Sequence, residues 1–541
     1  MRHRQNKHIL NTKKKHINTK LSNIKSSNIK SSNIKLTKRK TLKKHQNGGK
    51  AISSGAYGCV FHPPLQCDKT DDKNAKIVDD TYISKLMYKD HAEIENKINL
   101  DIKKITDELK IQKYVLVDNA FMCKPQALTD KDKENFNKEC TMFDRHNLGI
   151  LIDTEMEDYI TNEKNIDDKD KLRILQIKSG GIDLINYLNG LMKITDIDDL
   201  IKKINELNKL LIELLQNAIV PLRDNNYCHN DIKAENILIN TNNTQSVNSN
   251  TSQPSSKKIK IQANTQEAKQ EEHSPISIID WGLYYTYDST KEPKQMPDIF
   301  NNYVFGINYP YSVILFNNDL NKKLQDNIKQ HQIGATLKLT KDKIIEHYTN
   351  MLYVEFHSKE KLNRYMKDRL IYNTQYLKLL KTYKDTAIKQ AQAQSQEQSQ
   401  EQLQVQLQGI SNQFDTQYNN QFIEICIKNF LTPILTKYYD DTTHTLDIIA
   451  YFDEVYFKNA DIWGILTIYN ALLIALSIHY NTNKKTLSQT YYKNQFAIFQ
   501  NKLSIILFKY IINDTYAVTP FNIDILVNEL ILLDIKPNPI L

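Results

Sequence analysis

The sequence predicts an α+β protein built in two lobes, and three observations lead there. Short strand-prone runs crowd the first part of the chain, around Tyr57 to Phe61, in "TYISKLM" from Thr81 and in "RILQIK" from Arg173. Helical spacing takes over afterwards, most plainly in "LIKKINELNKLLIELLQNAIV" from Leu200. A strand-rich part followed by a helix-rich part favours segregated layers over alternating βαβ units. With 541 residues, 40% of them hydrophobic, the chain has enough apolar material for a sizeable core.

Charge divides the chain more sharply than composition does. Residues 1–50 hold 16 lysines and arginines and no acid, which leaves 56 basic against 63 acidic residues in the rest, a body near −7. Residues 1–47, with their repeated "SNIKS", lack apolar periodicity and are expected to be a disordered basic tail. Such a tail suits nucleic acid, an acidic protein or an anionic membrane surface, or stays solvated and silent. Glycine and proline, at 13 each, exclude a fibrous chain. The six cysteines have no CxxC spacing, which favours reduced thiols in an intracellular protein over a disulfide framework or a zinc site. No apolar leader opens the chain, so a non-secreted location is expected. The apolar stretch "IWGILTIYNALLIALSI" from Ile462 contains Asn470 and reads as a buried core helix, with no membrane span.

The chemistry concentrates in "YCHNDIKAENILI", residues 227–239, where His229, Asp231, Lys233 and Asn236 lead into an apolar strand. A carboxylate five residues before a carboxamide, on one loop, can aim one group at an acceptor hydroxyl and the other at a metal ion. Downstream, "SIIDWGLYY" sets Asp280, Trp281 and Gly282 after a second strand. Near the start of the fold, "ISSGAYGCVF" from Ile52 offers Gly55 and Gly58 for close backbone approach to phosphates. A polar turn before a strand, or a common glycine pair, is the plain alternative for each motif taken alone.

Together these stretches resemble the eukaryotic-type protein kinases, with H-R-D-L-K-x-x-N matched by His229 to Asn236 and D-F-G by Asp280 to Gly282. The resemblance implies a bilobal α+β kinase-like fold: a small antiparallel-sheet N-lobe over 48–178 and a larger helical C-lobe over 179–541. Polar stretches at about 241–274 and about 320–455 would be insertions, the first lengthening the hairpin between two strands at small entropic cost. It implies ATP with Mg²⁺ or Mn²⁺, and transfer of the γ-phosphate to serine or threonine hydroxyls of proteins. The implied catalytic residues are Asp231, Lys233, Lys85 and His229, and the implied metal ligands are Asn236 and Asp280. Nucleotide contacts would come from Ile52, Ser53, Gly55, Ala56, Tyr57, Gly58, Val60, Lys85 and Glu95, with backbone groups of Gln176 to Lys178 at the adenine. Lys76 is the alternative to Lys85, and Glu93 the alternative to Glu95. Asp461 would brace the catalytic loop.

The sequence departs from the family in three places. Ser53 replaces the first glycine, Asn230 replaces the arginine of H-R-D, and Pro310 in "NYPYSVILF" lacks the following glutamate of A-P-E. Control through activation-loop phosphorylation is therefore not expected. The lysine- and asparagine-rich composition and "YISKLM" look like the serine/threonine kinases of giant DNA viruses, mimivirus-like, which would place the chain in host cytoplasm or virion. Two other classes stay open at this stage: a pseudokinase scaffold and a kinase-like small-molecule phosphotransferase.

Overall fold

The computed structural model describes residues 49–54, 58–68, 81–126, 140, 171–240, 274–317 and 419–536, with short breaks in several ranges and isolated residues between 322 and 350. The tail 1–47, Gly55, Ala56, Tyr57, Lys76, the stretch 241–273 and most of 318–418 lie outside the described residues.

The protein is a mixed α and β structure with a small antiparallel sheet and several helices. The sheet joins β1 (Lys50–Ser54), β2 (Gly58–His62), β3 (Tyr82–Tyr88), β4 (Phe121–Cys123) and β5 (Leu172–Lys178) in the order β1-β2-β3-β5-β4. Its side chains alternate because a strand repeats every two residues. Ser84, Leu86, Ile174 and Gln176 turn to a small core with Phe61, Leu65 and Cys59, while Lys85, in register with Leu175, points to the other face. Helix α1 (Lys89–Leu109) follows β3 directly and rests Ile98, Ile102, Ile105 and Leu109 on a second, larger core.

That larger core is helical. Asp183 caps α2 (Leu184–Leu191), and Asp196 caps α3 (Ile197–Leu214), whose Leu200, Ile204, Leu207 and Leu211 form one buried stripe. Two short strands, β6 (Ile182–Asp183) and β7 (Tyr227–Cys228), flank these helices. The hairpin of β8 (Ile237–Ile239) and β9 (Ile276–Ile278) pairs Ile237 with Ile278 and Ile239 with Ile276, and β10 (Tyr285–Thr286) pairs back on β7. Helices α4 (Asn419–Tyr438), α5 (Phe457–Thr482), α6 (Thr490–Leu507) and α7 (Ile523–Ile531) complete the body.

Most of helix α5 lies in the stretch Ile448–Ser477, the one described segment long and apolar enough to cross a membrane, and 78% of its apolar window is buried inside the protein. Trp463, Ile465, Leu466, Tyr469 and Leu472 pack at the centre of the core, as the core-helix reading expects.

One expectation needs correction. Cys67 and Cys123 form a disulfide across 56 residues of sequence. No local spacing announces it, because the pair meets only when Cys67 bridges to Pro125 and the Asp68 N–H donates to the Lys124 carbonyl beside β4. Ahead of residue 178, Ile111, Tyr114, Val115 and Val117 join the larger core, and Val115 bridges in parallel to Ile278. At the end of the stretch 320–455, Phe430, Leu431, Ile434, Leu435, Tyr451 and Phe452 are all buried, their apolar faces filling space beside α5.

Candidate active site

Two loops face each other because strands tie them together at both ends. The loop from His229 to Asn236 runs between β7 and β8; the loop from Ile279 to Tyr284 runs between β9 and β10. Since β8 pairs with β9 and β7 with β10, the ends of one loop are fixed beside the ends of the other. The Ile279 N–H donates to the Asn236 carbonyl at 3.0 Å, so Asn236 and Asp280 emerge side by side from the hairpin.

The first loop is held from below by Asp461 on α5. One carboxylate oxygen accepts from the His229 N–H at 2.7 Å and the other from the Asn230 N–H at 2.8 Å. Asp461 is buried, and burial pushes its carboxyl above the usual range despite the two N–H donors. Gly464 lies one turn on, where a Cβ would stand 2.5 Å from the Ile232 carbonyl oxygen. The loop therefore rests on the helix backbone itself.

His229 braces the loop through both ring nitrogens. Its ring is fully buried; Nε2 bonds the Ile279 carbonyl at 3.1 Å and Nδ1 accepts from the Asp231 N–H at 3.2 Å. The two contacts require a neutral ring with the proton on Nε2. Burial lowers its pKa, outweighing the pull of the nearby carboxylates of Asp461, Asp231 and Asp280. Trp281 packs edge-on against it at 4.5 Å between ring centroids, which gives the middle position of D-W-G a packing role.

Asp231 sits where these contacts converge. Its Oδ2 accepts from Lys233 Nζ at 2.5 Å and from Asn236 Nδ2 at 2.8 Å, and its Oδ1 accepts from Asn308 Nδ2 at 2.9 Å and the Tyr309 hydroxyl at 3.1 Å. Asn236 Nδ2 also donates to the Asp231 carbonyl at 2.9 Å. Both its bonds run through nitrogen, so Oδ1 is the Asn236 atom suited to a cation.

Asp280 is exposed and takes a left-handed backbone, φ 65°, as does Asn230 at φ 59°. Such conformations cost a non-glycine residue free energy and gather at functional sites. Among the described residues no group of three or more His, Cys, Asp or Glu could hold a metal ion. The Asp280 carboxylate and Asn236 Oδ1 supply two hard oxygen donors, which fit Mg²⁺ or Mn²⁺ completed by phosphate and water oxygens.

Across the sheet, Lys85 Nζ meets Glu95 of α1 at 2.8 and 2.7 Å. Glu93 is exposed and stands 3.9 Å from Lys89, so the geometry selects Glu95. Val60 is in register with both Ser53 and Lys85, while Ile52 lies exposed at an irregularity of β1 between Ala51 and Ser53. Gly58 is needed by packing whatever else it does, because a Cβ there would meet Met87 Cγ at 2.7 Å and the Leu86 carbonyl at 2.9 Å. Gln176 is buried within the sheet, and its side-chain amide donates to the Leu65 carbonyl at 2.6 Å. Lys178 ends β5 opposite Tyr82.

Asn308 and Tyr309 were not singled out as site residues from the sequence. The stretch "NYPYS" pointed to this region only through Pro310. Asn230 is 2% exposed, and among the described residues neither of its amide atoms finds a partner, so burial closes its side chain off from a phosphate on another segment. The chain matches no model of a known protein family, and no curated protein matches it.

Proposed function

We propose that this chain is an ATP-dependent serine/threonine protein kinase with a bilobal kinase-like fold. The observation that carries the reading is the double engagement of Asn236: its amide donates to the Asp231 carboxylate, while its carbonyl accepts from the residue just before Asp280. A proton acceptor and two oxygen donors for a divalent ion thus stand within one loop pair. The Lys85–Glu95 pair supports a second phosphate contact, because a lysine steadied by a carboxylate presents a fixed positive charge.

In this reading Asp231 orients the acceptor hydroxyl and takes its proton, and Lys233 neutralises the γ-phosphate. Lys85 holds the remaining phosphates. Asn236 and Asp280 would hold Mg²⁺, which when bound neutralises phosphate charge. Positioning and charge stabilisation supply most of such a rate enhancement, so each group matters strongly. The preference for serine and threonine comes from Lys233, by the resemblance to the family.

The test is Mg²⁺-dependent transfer from labelled ATP to a generic protein substrate, run beside Asp231→Ala and Asp280→Ala. Each variant is expected to lose at least about a hundredfold in rate. Equal incorporation by all three proteins removes the enzyme reading. Nucleotide binding without transfer to any substrate favours a scaffold, and labelling of sugars or amines but not proteins favours a small-molecule phosphotransferase.

A further inference from the structure

An ionised carboxylate offers about four lone-pair positions, two on each oxygen. On those of Asp231, among the described residues, four donors lie: Lys233 and Asn236 at Oδ2, Asn308 and Tyr309 at Oδ1. A substrate hydroxyl needs one of those positions. Asn236, Asn308 and Tyr309 are 4%, 7% and 4% exposed, whereas the Lys233 side chain is 34% exposed on a flexible stem. Only the lysine can leave without unpacking the core, and a triphosphate competes for its charge.

The two donors on Oδ1 are firmly mounted. Pro310 follows them and opens a 3-10 turn, Tyr311–Phe316, in which Ser312 accepts from the Tyr451 hydroxyl at 2.7 Å. Tyr311 meets Phe430 and Trp463 edge-on, with centroids 5.5 and 5.3 Å away. The segment lacking the family's glutamate is thus anchored by an aromatic cluster instead.

We infer that Asn308 and Tyr309 are positioning residues that clamp Asp231 through Oδ1, so that the acceptor hydroxyl is received at Oδ2, on the side Lys233 vacates for the nucleotide. The inference rests on the phosphotransfer reading. In the step itself the acceptor O–H breaks and its proton passes to Oδ2. The hydroxyl oxygen bonds to the γ-phosphorus, and the bridging oxygen leaves with ADP.

The experiment compares the full chain with Tyr309→Phe, Asn308→Ala, Asn308→Ser and Asp231→Asn in steady-state transfer to a generic protein substrate, with ATP varied. Tyr309→Phe and Asn308→Ala are each expected to lower kcat about tenfold, with KM for ATP within about twofold, since each removes one bond to a charged acceptor. Asn308→Ser, which restores a donor, is expected to recover part of the loss. If Asn308→Ala does not fold, Tyr309→Phe decides, because loss of one hydroxyl leaves the ring packing in place. A parent silenced by Asp231→Asn but unaffected, or accelerated, by Tyr309→Phe and Asn308→Ala overturns the clamp alone. A parent that transfers nothing, with Asp231→Asn no different, overturns the clamp together with the phosphotransfer reading.

Discussion

Replacing Asp461 with asparagine tests how the loop bearing Asp231 is held. Each carboxylate oxygen of Asp461 serves one backbone N–H, at 2.7 and 2.8 Å, from His229 and Asn230. Asparagine keeps one acceptor and turns an NH₂ toward the other N–H. Losing a bond to a charged acceptor and leaving a buried N–H unmatched costs about 2–4 kcal/mol. Removing a buried charge whose carboxyl is already pushed upward by burial offsets part of that cost, so the net is about 1–3 kcal/mol. The effect is local, and amide hydrogen exchange over residues 226–236 reads it directly. Exchange of the His229 and Asn230 amides should quicken about 5- to 150-fold while the sheet exchanges as before. A change under about threefold in a folded Asp461→Asn protein would refute the idea that this carboxylate carries the loop.

Gly464→Ala gains about 1 kcal/mol of helix propensity but drives a Cβ to 2.5 Å from the Ile232 carbonyl. Overpacking costs about 1–3 kcal/mol and shifts Asp231, so kcat should fall about a hundredfold; an active, unshifted variant would contradict the contact. Burial lowers the His229 pKa from its ordinary 6.5, so its contribution to stability is present above that pH and is lost as pH falls toward the folded value. The stability gap between the parent and His229→Gln should narrow below pH 6.5, by at most about 1.4 kcal/mol per pH unit, and a gap constant from pH 7 to 5 would exclude a buried neutral ring. Chain entropy for the 56-residue separation of Cys67 and Cys123 comes to about 4 kcal/mol, so dithiothreitol should lower the melting temperature of the parent but not of Cys67→Ser/Cys123→Ser. Six titratable thiols in the unreduced, denatured chain would show the bond absent.

Some of the site could be read along the chain because its groups are close in sequence. Asp231, Lys233 and Asn236 lie within six positions of one loop, and Asp280 follows a strand that pairs with the strand after Asn236. Lys85 and Glu95 are ten residues apart, on adjoining elements, but their pairing, with Glu95 and not Glu93, needed the structure. Asn308 and Tyr309 could not be found this way. They reach Asp231 across 77 and 78 residues, and neither asparagine nor tyrosine before a proline marks a carboxylate partner.

By itself the sequence determined the mixed α and β class, the segregation of strands from helices, the core helix around Trp463 and the loop bearing Asp231, because periodicity and short-range spacing encode them. Tertiary structure alone decided which cysteines pair, that Phe430, Leu431, Ile434, Leu435, Tyr451 and Phe452 are core, that His229 is a sealed brace and that, among the described residues, four donors surround one carboxylate. Those outcomes depend on burial and on contacts between distant segments, and a linear pattern carries neither until the chain has packed.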